Sequence, residues 1–109
     1  MGAAGADPAA AFAAVDADGY RLQAPLRFGT VAALRGRGLA LIDAAAGQLT
    51  VDLSSVPSVD SAGLALLVDW LAHARGAGKR LCYVRAAPAL LALARLSDVE
   101  SLLESASQP

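Results

Sequence analysis

Between Leu49 and His73 the chain reads LTVDLSSVPSVDSAGLALLVDWLAH, and its apolar positions change period midway. Leu49, Val51 and Leu53 alternate with Thr50, Asp52 and Ser54, the two-residue period of a strand with one apolar face. Pro57 has no N–H to give to a ladder and ends the strand. Asp60 and Ser61 then stand at N-cap positions, just ahead of an apolar run that begins at Leu64. At the helical spacing of about 100° per residue, Leu64, Leu67, Val68, Leu71 and Ala74 share one face, the expected core face. Leu66, Trp70 and His73 fall on another side of the same helix, and they include the only Trp and the only His of the chain. Two readings of this second stripe stand side by side. It packs against a neighbouring helix of the same domain, or it binds a partner, since Trp is enriched at interaction hot spots.

The flanking pattern supplies the rest of the architecture. Tyr20 to Phe28 alternates loosely, with Tyr20, Leu22, Ala24, Leu26 and Phe28 on one side, and Pro25 confines it to a sheet edge or a bulge. Thr30 is expected to cap a helix from Val31 to about Ala45 whose inner face carries Val31, Leu34, Leu41, Ile42 and Ala45. Gly36 and Gly38 each weaken it by about 1 kcal/mol relative to Ala, so a break would fall there, and Gly47 is its expected stop. Gly76-Ala77-Gly78 ends the central helix, and Leu81 to Ala86 is a second buried strand. Pro88 opens a helix to about Leu96, and Ser97-Asp98 caps a last helical piece from Val99 to Leu103. At the other end, Asp16-Ala17-Asp18-Gly19 is turn chemistry. Residues 1–15 read as a flexible Ala/Gly-rich tail, able at most to add a short edge strand near Ala13 to Val15. The folded domain is expected over residues 16–105. Alternating strands and helices imply an α/β fold, a mixed sheet of about four strands with three to four helices mainly on one face.

Composition narrows the function. A chain of 109 residues makes one domain. At 56% hydrophobic and 5% aromatic, the core must be built from Ala, Leu and Val, with elements packed closely. A net charge of −1 makes no electrostatic case for nucleic acid. The single cysteine, Cys82, excludes an internal disulfide and reads as an inert thiol in a strand. One His and one Cys cannot form a zinc cage, and neither metal nor cofactor is expected. Arg75, Lys79 and Arg80 read as cations at a helix C-terminus and its turn. No basic leader and no apolar run of about 18 residues is present, so a cytoplasmic protein without direct membrane insertion is expected.

Candidate chemistry concentrates where the central helix starts. Ser61 is an ordinary capping hydroxyl, a contact point for a partner, or both. A phosphate on it would bring a charge of about −1.5 to −2 to the positive end of the helix dipole, which tolerates it, while Asp60 and any partner packed there would repel it. Gly63 leaves room for close packing or for a partner's backbone. His73 has no nucleophile or carboxylate at fixed spacing, so catalysis by it is not expected. Asp52 and Asp60 belong to a strand and a loop, and capping and solvated surface account for them. P-loop, nucleophile-elbow and dinucleotide fingerprints are absent, so no enzyme is expected.

The run VDLSSVPSVDSAGLALL from Val51 to Leu67 resembles the signature of STAS domains, the sulfate-transporter and anti-sigma-factor-antagonist fold. In that family a D-[ST]-x-G-L segment starts the helix beside the central strand, here Asp60 to Leu64. Leu22 to Val31 resembles the family's second strand and its turn into a helix, with Ala24 where many members carry Gly. The resemblance spans residues 18 to 103. The texture of Leu64 to Leu71 is most similar to the small STAS subunits of Mla-type ABC complexes that traffic phospholipid. It implies a non-catalytic subunit bound to a cytoplasmic ABC-type ATPase, peripheral to the inner membrane through its complex and serving outer-membrane lipid asymmetry. The implied contact residues are Asp60, Ser61, Ala62, Gly63, Leu66, Trp70 and His73. The family also implies an alternative, an anti-sigma-factor antagonist whose Ser61 is phosphorylated by a partner kinase.

Overall fold

A computed structural model of the chain describes residues 8–96. The element order is α1 (Pro8–Ala11), β1 (Phe12–Asp16), β2 (Gly19–Leu22), α2 (Phe28–Ala44), β3 (Gln48–Asp52), α3 (Ser61–Gly76), β4 (Arg80–Val84) and α4 (Pro88–Leu96). The strands form one four-stranded sheet in the order β1-β2-β3-β4. β1 and β2 are an antiparallel hairpin, and β2–β3 and β3–β4 are parallel. The mixed sheet and α/β class read from the sequence are therefore those of the structure. The last helical piece expected at Val99 to Leu103 lies outside the described residues.

The sheet begins earlier than the sequence suggested. The expected edge strand near Ala13 to Val15 is real but starts at Phe12, inside the stretch read as a flexible tail. Phe12 is buried and meets Trp70 edge-to-face, with ring centroids 5.8 Å apart. Asp16 ends the strand with a turn in which its Oδ1 accepts the Asp18 N–H at 3.0 Å.

β2, β3 and β4 are laid down in one direction, so crossovers of one hand put α2 and α3 on the same face. That face carries Leu22, Leu49, Val51, Leu81 and Tyr83, all buried. Tyr83 donates its hydroxyl to the Leu67 carbonyl at 2.7 Å, satisfying a buried phenol and tying β4 to α3. Burial pushes the Tyr83 pKa well above the ordinary phenol value, so the hydroxyl remains a donor.

Three expectations about α2 change. The helix starts at Phe28 with Arg27 as its N-cap, and Thr30 is its third residue. The Thr30 hydroxyl accepts the Arg27 N–H at 3.1 Å and donates to the Pro25 carbonyl at 2.6 Å, holding the turn that Pro25 begins. Phe28 does not continue the β2 alternation inward. The strand stops at Leu22, and Phe28 stands 81% exposed at the helix start. Gly36 and Gly38 do not break the helix. Gly38 is instead where Trp70 lies, since a Cβ there would come within 2.2 Å of the indole Cε2.

The opposite face of the sheet holds Asp52, which is 3% exposed rather than solvated. Its Oδ2 accepts Arg85 Nε at 3.0 Å and lies 2.9 Å from Arg85 Nη2, while its Oδ1 accepts the Ser54 N–H at 2.8 Å. Burial pushes this carboxyl up, but hydrogen bonds from Ser54 and the Arg85 guanidinium outweigh it and hold the pKa at about 2. A depressed carboxyl contributes stability that is whole above its unfolded value of 3.8 and is withdrawn as pH falls toward about 2. Urea midpoints measured between about pH 6 and pH 2 should therefore decline below about pH 4, and Asp52→Asn should flatten part of that decline.

Candidate functional site

The N-termini of α2 and α3 emerge at the same end of the sheet and are joined by one side chain. Leu26 and Val59 form a parallel bridge, Leu26 N–H donates to the Ser58 carbonyl at 2.9 Å, and Asp60 N–H donates to the Leu26 carbonyl at 3.0 Å. This short ladder aims the Asp60 carboxylate at both helices. Oδ1 accepts the Gly63 N–H of α3 at 3.0 Å, and Oδ2 accepts the Phe28 N–H of α2 at 2.9 Å. Hydrogen bonds from Phe28 and then Gly63 hold its pKa below the ordinary carboxylate value. Asp60 is thus the N-cap of α3 and also takes up an orphan donor of α2, which a reading of local spacing could not reveal.

Asp60 leaves Ser61 without a capping role. Ser61 is the first residue of α3, exposed, and its hydroxyl has no hydrogen-bond partner among the described residues. Ala62 beside it is half-buried. Gly63 is buried, and its missing Cβ is replaced by this chain itself rather than by a partner's backbone. A Cβ there would stand 1.9 Å from the Leu26 carbonyl oxygen.

The second stripe of α3 is an internal seam. Leu66 and Trp70 are buried, Trp70 at 1% exposure. The indole Nε1 donates to the Arg35 carbonyl of α2 at 3.2 Å. His73 Nε2 lies 2.8 Å from Asp43 Oδ1, and Arg35 Nε donates to Asp69 Oδ2 at 2.9 Å, both bridging the same two helices. Lys79 Nζ reaches the carbonyls of Ile42 (3.0 Å) and Asp43 and caps the end of α2, a more specific role than the solvated turn expected of it. Of the seven residues expected to contact a partner, the structure gathers Asp60, Ser61 and Ala62 at one surface. It buries Gly63, Leu66 and Trp70, and places His73 in the α2–α3 seam.

Two features of that surface escaped the sequence pattern. Phe28 and Arg27, both exposed, flank Asp60 across the helix junction, because α2 starts earlier than Thr30 suggested. On the other side, Leu53, Val56, Pro57, Val59 and Leu90 line a shallow apolar cleft of about 50 Å³. That volume admits the tip of one aliphatic side chain and is well short of what a substrate requires. The surface can therefore offer a polar hydroxyl, an aromatic ring and a small apolar notch to another macromolecule. Among the described residues no group of His, Cys, Asp and Glu side chains could hold a metal, and no helix is long and apolar enough to cross a membrane.

No curated protein matches the chain. A family model described as the Mlab STAS domain matches residues 11–104, which takes in every described strand and the helices α2, α3 and α4. The mixed sheet, the two helices on one face and the Asp60–Leu64 segment opening α3 accord with that match, and the chain belongs to the STAS-domain family, of the MlaB type.

Proposed function

We propose that this protein is a non-catalytic subunit that docks on the cytoplasmic, MlaF-like ATPase of an ABC-type phospholipid transport complex and supports it in an active assembly. STAS domains are generally non-catalytic and mediate protein–protein contacts, which sets the class of function. The single observation that carries the docking surface is the idle, exposed hydroxyl of Ser61 beside an 81% exposed Phe28. Both side chains lie open to solvent, and aromatic anchors ringed by polar groups are what interfaces use. Docking there would hold the protein at the inner membrane through its partner and leave lipid movement to the ATPase and its permease, in the service of outer-membrane lipid asymmetry.

The test separates docking from folding. Asp at the first position of a helix favours the dipole, so Ser61→Asp should melt at or slightly above the wild-type temperature. Its affinity for the purified ATPase should nevertheless fall roughly tenfold or more, as should that of Phe28→Ala. Wild-type binding by both variants would remove the surface from consideration. A second reading is favoured by the same free hydroxyl: an anti-sigma-factor antagonist released by phosphorylation of Ser61. Incubation with the cognate kinase and ATP, read by intact mass, decides between them, because only the second requires an added phosphate.

A further inference from the structure

We propose that Arg21 and Arg85 form a binding site for a phosphate-type oxyanion on the sheet face opposite α2 and α3. The sheet register sets Arg21 beside Asp52, with Ala13 on one side and Val84 on the other. Both guanidinium groups gather on one carboxylate oxygen. Arg85 takes Asp52 Oδ2 through Nε at 3.0 Å and Nη2 at 2.9 Å, leaving Arg21 Nε 3.7 Å from the same atom. Arg21 Nε is buried and has no hydrogen-bond partner. The second carboxylate oxygen is taken by the Ser54 N–H. Two cations thus share one anion, and Arg85 makes the closer contacts to it.

Both arginine side chains are partly open to solvent. The Arg21 side chain is 42% exposed and that of Arg85 65% exposed, so both side chains reach solvent beside the buried Asp52. Arg85 adopts this position at a backbone φ of 57°, the one non-glycine residue in the left-handed region among the described residues. Such conformations persist where the surroundings over-determine them, and they cluster at binding sites. Two solvent-reaching guanidiniums against one carboxylate leave a net charge of +1, which suits a tetrahedral oxyanion. Its several acceptor oxygens can take both guanidiniums at once.

The site is independent of the docking surface, and the purified protein tests it alone. Titration with inorganic phosphate at constant ionic strength, followed through the arginine Nε–Hε resonances, should give saturable shifts at Arg21 and Arg85. Arg21→Gln and Arg85→Gln should each weaken binding at least about tenfold. Asp52→Asn removes the competing carboxylate and should tighten binding several-fold, a gain that a purely structural ion-pair network would not produce. Phosphatidic-acid vesicles against phosphatidylcholine vesicles separate the sources. Arginine-dependent co-sedimentation with the former assigns a lipid headgroup, and phosphate shifts without sedimentation assign a soluble phosphate. Linear, non-saturating shifts, or shifts unchanged in both Gln variants, would overturn the site.

Discussion

Gly63→Ala should destabilise the protein by ~3 kcal/mol and lower its melting temperature by roughly 15 °C, although alanine is the better helix former. The added Cβ would stand 1.9 Å from the Leu26 carbonyl oxygen and 2.5 Å from its carbon. No rotamer relieves that clash, because the obstacle is backbone. Moving Leu26 would also disturb the Asp60 N–H bond to its carbonyl at 3.0 Å and with it the carboxylate that joins α2 to α3. Gly36→Ala is the control. It lies in the same kind of helical backbone, with nothing within 4 Å of the place an added methyl would take, and should stabilise by about 0.5–1 kcal/mol. Urea melts of the two variants should shift in opposite directions. A stable Gly63→Ala protein would mean that α3 can stand off from Leu26.

Trp70→Ala should cost about 3–5 kcal/mol, a large part of the stability of a domain this size. The indole is 1% exposed, meets Phe12 edge-to-face and covers the bare backbone of Gly38. Its loss would leave a cavity between β1, α2 and α3. A loss of partner binding in this variant would therefore report unfolding, and Trp70 cannot serve as a surface probe. Gly38→Ala should also destabilise, by about 1–3 kcal/mol, since its methyl would press into the indole. In the Trp70→Ala background that methyl meets the cavity instead, and the cost should vanish or reverse. The double-mutant cycle, read from denaturation midpoints, should return a coupling of about 1–3 kcal/mol.

Local pattern carried the architecture because it acts through local physics. The alternation of Leu49, Val51 and Leu53 marks β3 and the residue that follows it, and all three residues are buried in the folded chain. Pro88 and Gly78 mark the α4 start and the turn after α3 by their own backbone limits, Gly78 with a φ of 72°. Caps are less local. Thr30 has a capping side chain, yet Arg27 occupies the cap position of α2, whereas of the two expected candidates at α3 it is Asp60 that caps. The choice was made by the Leu26–Val59 bridge, which brings two helix starts, thirty-odd residues apart in the chain, onto one carboxylate.

The sequence by itself determined the α/β class, the order of the elements from β2 to α4, the apolar face of β3 and the segment that opens α3. Each depends on residues within a few positions of one another. Only the tertiary structure decided which exposed groups are free. Trp70 and Phe28 are both aromatic residues on helices, but Trp70 has Gly38 opposite it and is buried, whereas Phe28 has no such recess and stands in solvent. Asp52 and Asp60 are alike in the sequence, but one is enclosed by Arg85 and Arg21 and the other bridges two helices. Burial depends on what the rest of the chain brings to the spot, and that is settled by packing across the sheet rather than by the neighbours in sequence.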